Sequence, residues 1–136
     1  MSAFGYDELV RALAADPRVR LVYGFGSCAA GASGPMSDVD LAVLLDAPLD
    51  WDSERDLRAR LADIEPRVDL VLLHDASSAL RREIIDGGRC LFARDARDQA
   101  EFEILSLAQF LDFQPFRRVQ QEYLRARIQE RRGPSR

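Results

Sequence analysis

The segment VDLAVLL, residues 39–45, constrains the fold most, because it is apolar at every position except Asp40. A short apolar run of this kind is typical of a strand that other elements cover on both faces. Two further strand candidates are VRLVYGF at 19–25 and RVDLVLL at 67–73. Helical patterns separate the three runs. The sequence therefore predicts a protein of the α/β class, with a sheet flanked by helices.

Helices are predicted from apolar spacing and from the residues that start and stop them. The first spans 7–15 and the second spans 52–65, and a proline follows each of them. A third helix begins at an N-cap on Ser77 or Ser78 and stops at the glycine pair 87–88. These helices fall between the strand candidates, as an α/β order requires.

The rest of the chain predicts a short fourth strand and then a helical extension. RCLFA at 89–93 is the strand, and the pattern is helical from Asp95 onward. Pro115 is expected to bend or interrupt this extension. Its predicted buried stripe comprises Phe102, Leu105, Ala108 and Leu111. We expect residues 1–94 to form the core and residues 95–136 to form C-terminal helices that pack on the same domain and are a candidate partner-binding surface.

Composition narrows the class of protein. The chain has 136 residues, of which 47% are hydrophobic and 31% charged, as expected for one soluble globular domain. Its net charge of -4 argues against a broad nucleic-acid surface. Cys28 and Cys90 match neither a metal-ligand spacing nor a dithiol motif, and the N-terminal residues lack the pattern of a signal peptide. We expect a cytoplasmic protein.

Acidic residues interrupt the apolar strands. Asp38 and Asp40 are one residue apart, so in a strand they project from the same face. Buried carboxylates require a counter-charge, and no lysine or arginine lies near them in the sequence. Mg²⁺ prefers such hard oxygen ligands and often bridges them to phosphates. Asp69, the acid of the next long strand, would complete a metal site if the two strands are neighbours.

A loop of small residues precedes the acidic pair. Gly26 lets the backbone approach a ligand closely, and Ser27 begins a predicted helical turn whose free N–H groups favour anions. An anion site upstream of paired carboxylates suits a nucleoside triphosphate bridged by Mg²⁺.

The spacing of these residues resembles a known family. Gly26-Ser27, ten intervening residues and then Asp38-Val39-Asp40 is similar to the signature of the DNA polymerase β-like nucleotidyltransferases. VDLVLL around Asp69 and the later segment 84–118 resemble the MntA-type antitoxins, small members that pair with HEPN-domain toxins. The resemblance implies the minimal nucleotidyltransferase fold, with a mixed sheet flanked by helices.

The same resemblance implies an activity and a set of roles. A family member of this type transfers AMP from ATP to a tyrosine of its partner toxin. Asp38 and Asp40 would bind Mg²⁺, two ions in all, and Asp69 would complete the metal site or help deprotonate the tyrosine hydroxyl. Three residues would hold the nucleotide: Gly26, Ser27 and Ser37.

One position departs from the family pattern. Many relatives carry an arginine four residues after the loop glycine, where this chain has Ala30. Arg20, Arg67 or a toxin residue could supply the missing charge. Two other functions stay open: toxin neutralisation by binding alone, with a vestigial nucleotide site, and transfer of a nucleotide to a small molecule.

Overall fold

The structure, a computed structural model, describes residues 6–26 and 39–131, and beyond residue 112 it describes side chains only at 122, 123 and 125–127. The described helices are α1 (Tyr6–Ala14), α2 (Trp51–Ile64), α3 (Ser78–Gly87) and α4 (Ala96–Arg131). The described strands are β1 (Val19–Phe25), β2 (Val39–Leu45), β3 (Val68–Leu72) and β4 (Arg89–Ala93), and a 3-10 turn spans Leu73–Asp75.

The four strands form one mixed sheet in the order β3-β2-β1-β4. β1 is antiparallel to both β2 and β4, whereas β2 is parallel to β3. A parallel pair needs a crossover connection, and α2 is that crossover. The predicted α/β class with a mixed sheet is confirmed.

The sheet has a separate apolar cluster on each face. One cluster packs α1 and α2 against alternate residues of β2, including Val39, Leu41 and Val43. The other packs Ile84 of α3 and Phe102 of α4 against the intervening residues, such as Ala42 and Leu44. Because β2 is covered on both sides, its sequence is apolar almost throughout.

Helix α3 has the predicted ends. The Ser77 side chain accepts a hydrogen bond from the Leu80 N–H at 3.1 Å, so Ser77 rather than Ser78 is the N-cap. The helix ends at Gly87, and the Gly88 N–H donates to the Ile84 carbonyl.

Helix α4 differs from its prediction in two ways. Of the predicted stripe only Phe102 is buried, whereas Leu105, Ala108 and Leu111 are exposed and Ser106 is buried instead. Residues spaced by three turn by about 300° per step, so four of them drift around half of the helix. The predicted interruption at Pro115 is also wrong, because the helix is continuous through that position.

Polar contacts fix the start of α4 to the sheet. Arg20 of β1 donates to Asp98 at 2.6 Å, and the Tyr23 hydroxyl donates to Glu103 at 2.5 Å. Burial and this hydrogen bond raise the pKa of Tyr23, which therefore remains a donor. None of the helices described here is long and apolar enough to cross a membrane.

Candidate functional site

Two of the predicted acids meet where β2 and β3 begin. Asp40 and Asp69 are direct partners in the parallel ladder, and Phe25 at the end of β1 is the partner of Asp40 on its other side. Partners in neighbouring strands project from the same face. By alternation with Ala42 and Val71, both carboxylates lie on the face that carries α3 and α4. Asp40 is half-buried and Asp69 is exposed.

Gly26 lies directly against the Asp40 carboxylate. Its φ of 78° is in the left-handed region of backbone conformation, which residues other than glycine rarely adopt. A Cβ at this position would also collide with Oδ2 of Asp40. The predicted close approach of the backbone at Gly26 is therefore present, and it is made to the acid of the site.

The main chain around Asp40 is held from the opposite face of the sheet. The Tyr6 hydroxyl, at the start of α1, donates to the Asp40 carbonyl at 3.4 Å. Sequence reasoning missed Tyr6, because a tyrosine at a helix start carries no signal for a partner 34 residues away.

Gly88 is a second residue whose role near the site was not predicted. A Cβ at Gly88 would lie 2.6 Å from the Gly24 carbonyl oxygen and 3.2 Å from Cβ of Phe25. The end of α3 therefore packs backbone to backbone against the end of β1. The glycine pair 87–88 predicted only a helix stop, although a doublet of glycines could also have suggested close approach.

The other predicted site residues, Asp38, Ser27 and Ser37, lie outside the described residues. Among the side chains that the structure describes, no third acidic, histidine or cysteine residue joins Asp40 and Asp69 in a metal-binding group. Two members of the predicted three-carboxylate site, Asp40 and Asp69, thus lie side by side. The position of the third, Asp38, stays a prediction.

The two arginines proposed to replace a charge at Ala30 have different surroundings. Arg20 lies near the opposite end of β1 and is ion-paired with Asp98, so it is not a candidate. Arg67 directly precedes β3, and its carbonyl accepts the Val39 N–H at the edge of the site. Its guanidinium donates to both oxygens of Glu65 at 3.2 Å and lowers the pKa of that carboxyl group.

The donor set fits a magnesium ion. Asp40 and Asp69 offer carboxylate oxygens from two neighbouring strands, and hard oxygen ligands are those that Mg²⁺ prefers. Because Asp69 is exposed, water and substrate oxygens could reach an ion held by these two carboxylates.

Sequence comparison identifies a family. The protein-family model for "Polymerase beta, Nucleotidyltransferase" matches residues 7–97, which include every strand described above. The protein adenylyltransferase MntA of Shewanella oneidensis is 31% identical over 104 residues, covering 76% of this chain and 74% of that protein.

Solved structures show the same relationship. A toxin-antitoxin crystal structure with AMP-PNP contains a chain that is 27% identical, with a TM-score of 0.71 and coverage of 91% of this chain and 98% of that one. A complex of the tri-AMPylated Shewanella oneidensis HEPN toxin with its MNT antitoxin gives 26% identity and a TM-score of 0.67, over 87% of this chain and 93% of that one. The chain belongs to the polymerase beta nucleotidyltransferase family, as a homologue of MntA.

Proposed function

We propose that this protein is the antitoxin of a HEPN toxin pair and acts as a protein adenylyltransferase, moving AMP from ATP to a tyrosine of the toxin. Its homologue MntA is named a protein adenylyltransferase, and a related complex contains a tri-AMPylated HEPN toxin. The chain spans 98% of the related chain in the complex with AMP-PNP, so the comparison covers nearly the whole molecule. We place this activity in the cytoplasm, where ATP is available.

Asp40 and Asp69 would hold magnesium in this reaction, with Asp38 as the third ligand. The metal would neutralise negative charge on the phosphate oxygens, which is the main requirement of nucleotidyl transfer. Gly26 would let the backbone approach the triphosphate, and Ser27 and Ser37 would add hydroxyl donors.

The reaction exchanges one bond to the α-phosphorus for another. The tyrosine oxygen bonds to the α-phosphorus of ATP, the bond from that phosphorus to the bridging oxygen breaks, and pyrophosphate leaves. The hydroxyl proton must go to a base, and the exposed carboxylate of Asp69 is the group that we propose for this role.

One observation carries this proposal: Asp40 and Asp69 are ladder partners beside a glycine that cannot hold a side chain. An acidic pair at a strand start has no structural need for such a neighbour. In a chain that belongs to this family, such an arrangement of two acids and a glycine suits metal-dependent nucleotide chemistry.

The test is AMP transfer to the purified toxin, followed by intact-protein mass spectrometry with ATP and Mg²⁺. We expect Asp40→Asn and Asp69→Asn each to lower the transfer rate by about 10²–10³-fold, the usual effect of losing one electrostatic stabiliser. Asp56→Asn, on the exposed side of α2, is the matched control and should leave the rate unchanged.

Neutralisation without transfer would overturn the enzymatic proposal. That result would require Asp40→Asn to protect cells from the toxin as well as the natural protein does, with no AMP adduct on the toxin. In that case the chain would act by binding alone.

A further inference from the structure

The outward face of α4 is more apolar than the face it buries. The buried residues of the helix include Asp98, Phe102 and Ser106. By contrast, the side chains of Ile104, Leu107 and Leu111 are 69%, 41% and 50% exposed. Surface helices usually show the reverse pattern. The spacing of three and then four residues puts these last three side chains in one row, which we call the α4 seam.

The α4 seam borders a groove between α3 and α4. The groove has a volume of about 290 Å³ and is lined by Arg82, Ile85, Asp86, Glu103, Ile104 and Leu107. In this lining, Arg82 is ion-paired with Asp86 at 2.5 Å, and Glu103 accepts a hydrogen bond from the buried Tyr23 hydroxyl. The groove therefore combines three aliphatic side chains with carboxylates that already have partners.

One wall of the groove lies near the candidate active site. Ile85 and Asp86 lie within one helical turn of Gly88, whose backbone packs against Phe25 beside Gly26. Asp40 and Asp69 project from this same face of the sheet. A protein lying in the groove thus reaches the carboxylates without crossing the sheet.

We propose that the α4 seam and the α3–α4 groove are the docking surface for the toxin, which lays an apolar segment along them. This inference rests on the proposed function, because it concerns how the protein substrate is held. A tyrosine in the active site offers little contact area of its own. Affinity for a protein substrate must then come from a surface away from the reacting atoms.

The position of the exposed area favours the toxin over a second copy of this chain. Three partly exposed aliphatic side chains form a patch on the order of a few hundred Å². A stable symmetric dimer buries about 800 Å² on each partner. Among the described side chains, the α4 seam alone falls short of that area. A toxin that also reaches the active site adds contact area beyond the α4 seam, which then forms the apolar centre of the interface.

The test is steady-state AMP transfer with toxin and ATP varied separately. We expect Ile104→Glu combined with Leu107→Glu to raise the KM for toxin by about 30-fold, while the KM for ATP and kcat stay near their natural values. Both positions are exposed, so the variant should fold. Trp51→Glu is the control, since Trp51 is 71% exposed on α2, across the sheet.

The outcomes separate this inference from the proposed function. An unchanged KM for toxin in the double variant, with normal AMP transfer, would overturn the docking surface and leave the enzyme intact. If the natural chain transfers no AMP, calorimetry with the toxin still decides: about 30-fold weaker binding by the double variant supports the docking surface. A natural chain that sediments as a dimer, and becomes a monomer on these substitutions, would assign the surface to a second copy.

Discussion

At the scale of single residues, the site depends on the contact between Gly26 and Asp40. The positive φ of Gly26 and the nearby carboxylate oxygen each exclude a side chain. A methyl group would strain the backbone and displace the Asp40 carboxylate from its observed position. The proposed metal site would then lose the arrangement of its two acids.

Gly26→Ala is therefore expected to lower AMP transfer by about 100-fold, since a displacement of ~1 Å in a catalytic group can cost that much. The strained φ should also lower the free energy of unfolding by about 1–2 kcal/mol. Rate assays and urea denaturation measure the two effects. A variant with natural activity would show that the carboxylate does not need its observed position.

The sequence predicted the identity of these residues better than their arrangement. Asp40 and Asp69 were recognisable because each is an acid inside an apolar strand. The sequence could not show that Asp40 and Asp69 are direct partners, because which strands become neighbours depends on contacts between residues distant in sequence. Tyr6 could not be found at all, since its contact with the Asp40 carbonyl exists only after α1 packs on the sheet.

At the scale of secondary structure, two adjacent glycines have different surroundings. A Cβ at Gly87 would meet nothing within 4 Å, whereas one at Gly88 would lie 2.5 Å from the Ile84 carbonyl oxygen. Backbone atoms cannot move aside as a flexible side chain can. Gly88 thus sets how closely α3 approaches β1.

Gly88→Ala should destabilise the protein by about 1–3 kcal/mol through overpacking. Gly87→Ala, the matched control, should be neutral or add about 0.5–1 kcal/mol, because alanine is the better helix residue. Thermal unfolding of the two variants measures the difference. Equal melting temperatures would contradict the close packing of α3 on β1.

Strands were easier to predict than the long helix. β1, β2 and β4 have the predicted ends, because Gly26, Pro48 and the glycine pair 87–88 punctuate the chain near them. In α4, two apolar stripes compete for the sheet, and spacing alone cannot choose between them. The polar contacts of Asp98 and Glu103 with β1 orient the helix, and neither was visible as a pattern.

At the scale of the whole molecule, arginine–carboxylate pairs stabilise the fold both within one turn and between distant elements. Arg18 donates to Asp16 at 2.7 Å and lowers its pKa from 3.8 to about 2. Arg20 lowers the pKa of Asp98 in the same way. A carboxyl group whose pKa is lower in the folded state stabilises that state above its ordinary pKa, and the contribution disappears as the pH falls through the lowered value.

The free energy of unfolding should accordingly fall between about pH 4 and pH 2. Asp16→Asn should cost about 1 kcal/mol at pH 7, because Arg18 is partly solvated, and should make the acid decline shallower. Urea denaturation at fixed pH steps gives both curves. Parallel curves for the natural protein and the variant would rule out Asp16 as a source of the acid sensitivity.

The parallel register of β2 and β3 makes the site sensitive to chain length as well as to residue type. One residue inserted between Val68 and Asp69, with Val68 kept in register, would turn that carboxylate to the other side of the sheet, toward α1 and α2, although no functional residue had been replaced. Homologues that retain catalysis should therefore tolerate substitutions in this stretch but not single-residue insertions or deletions, whereas the turn between β2 and α2 can vary in length.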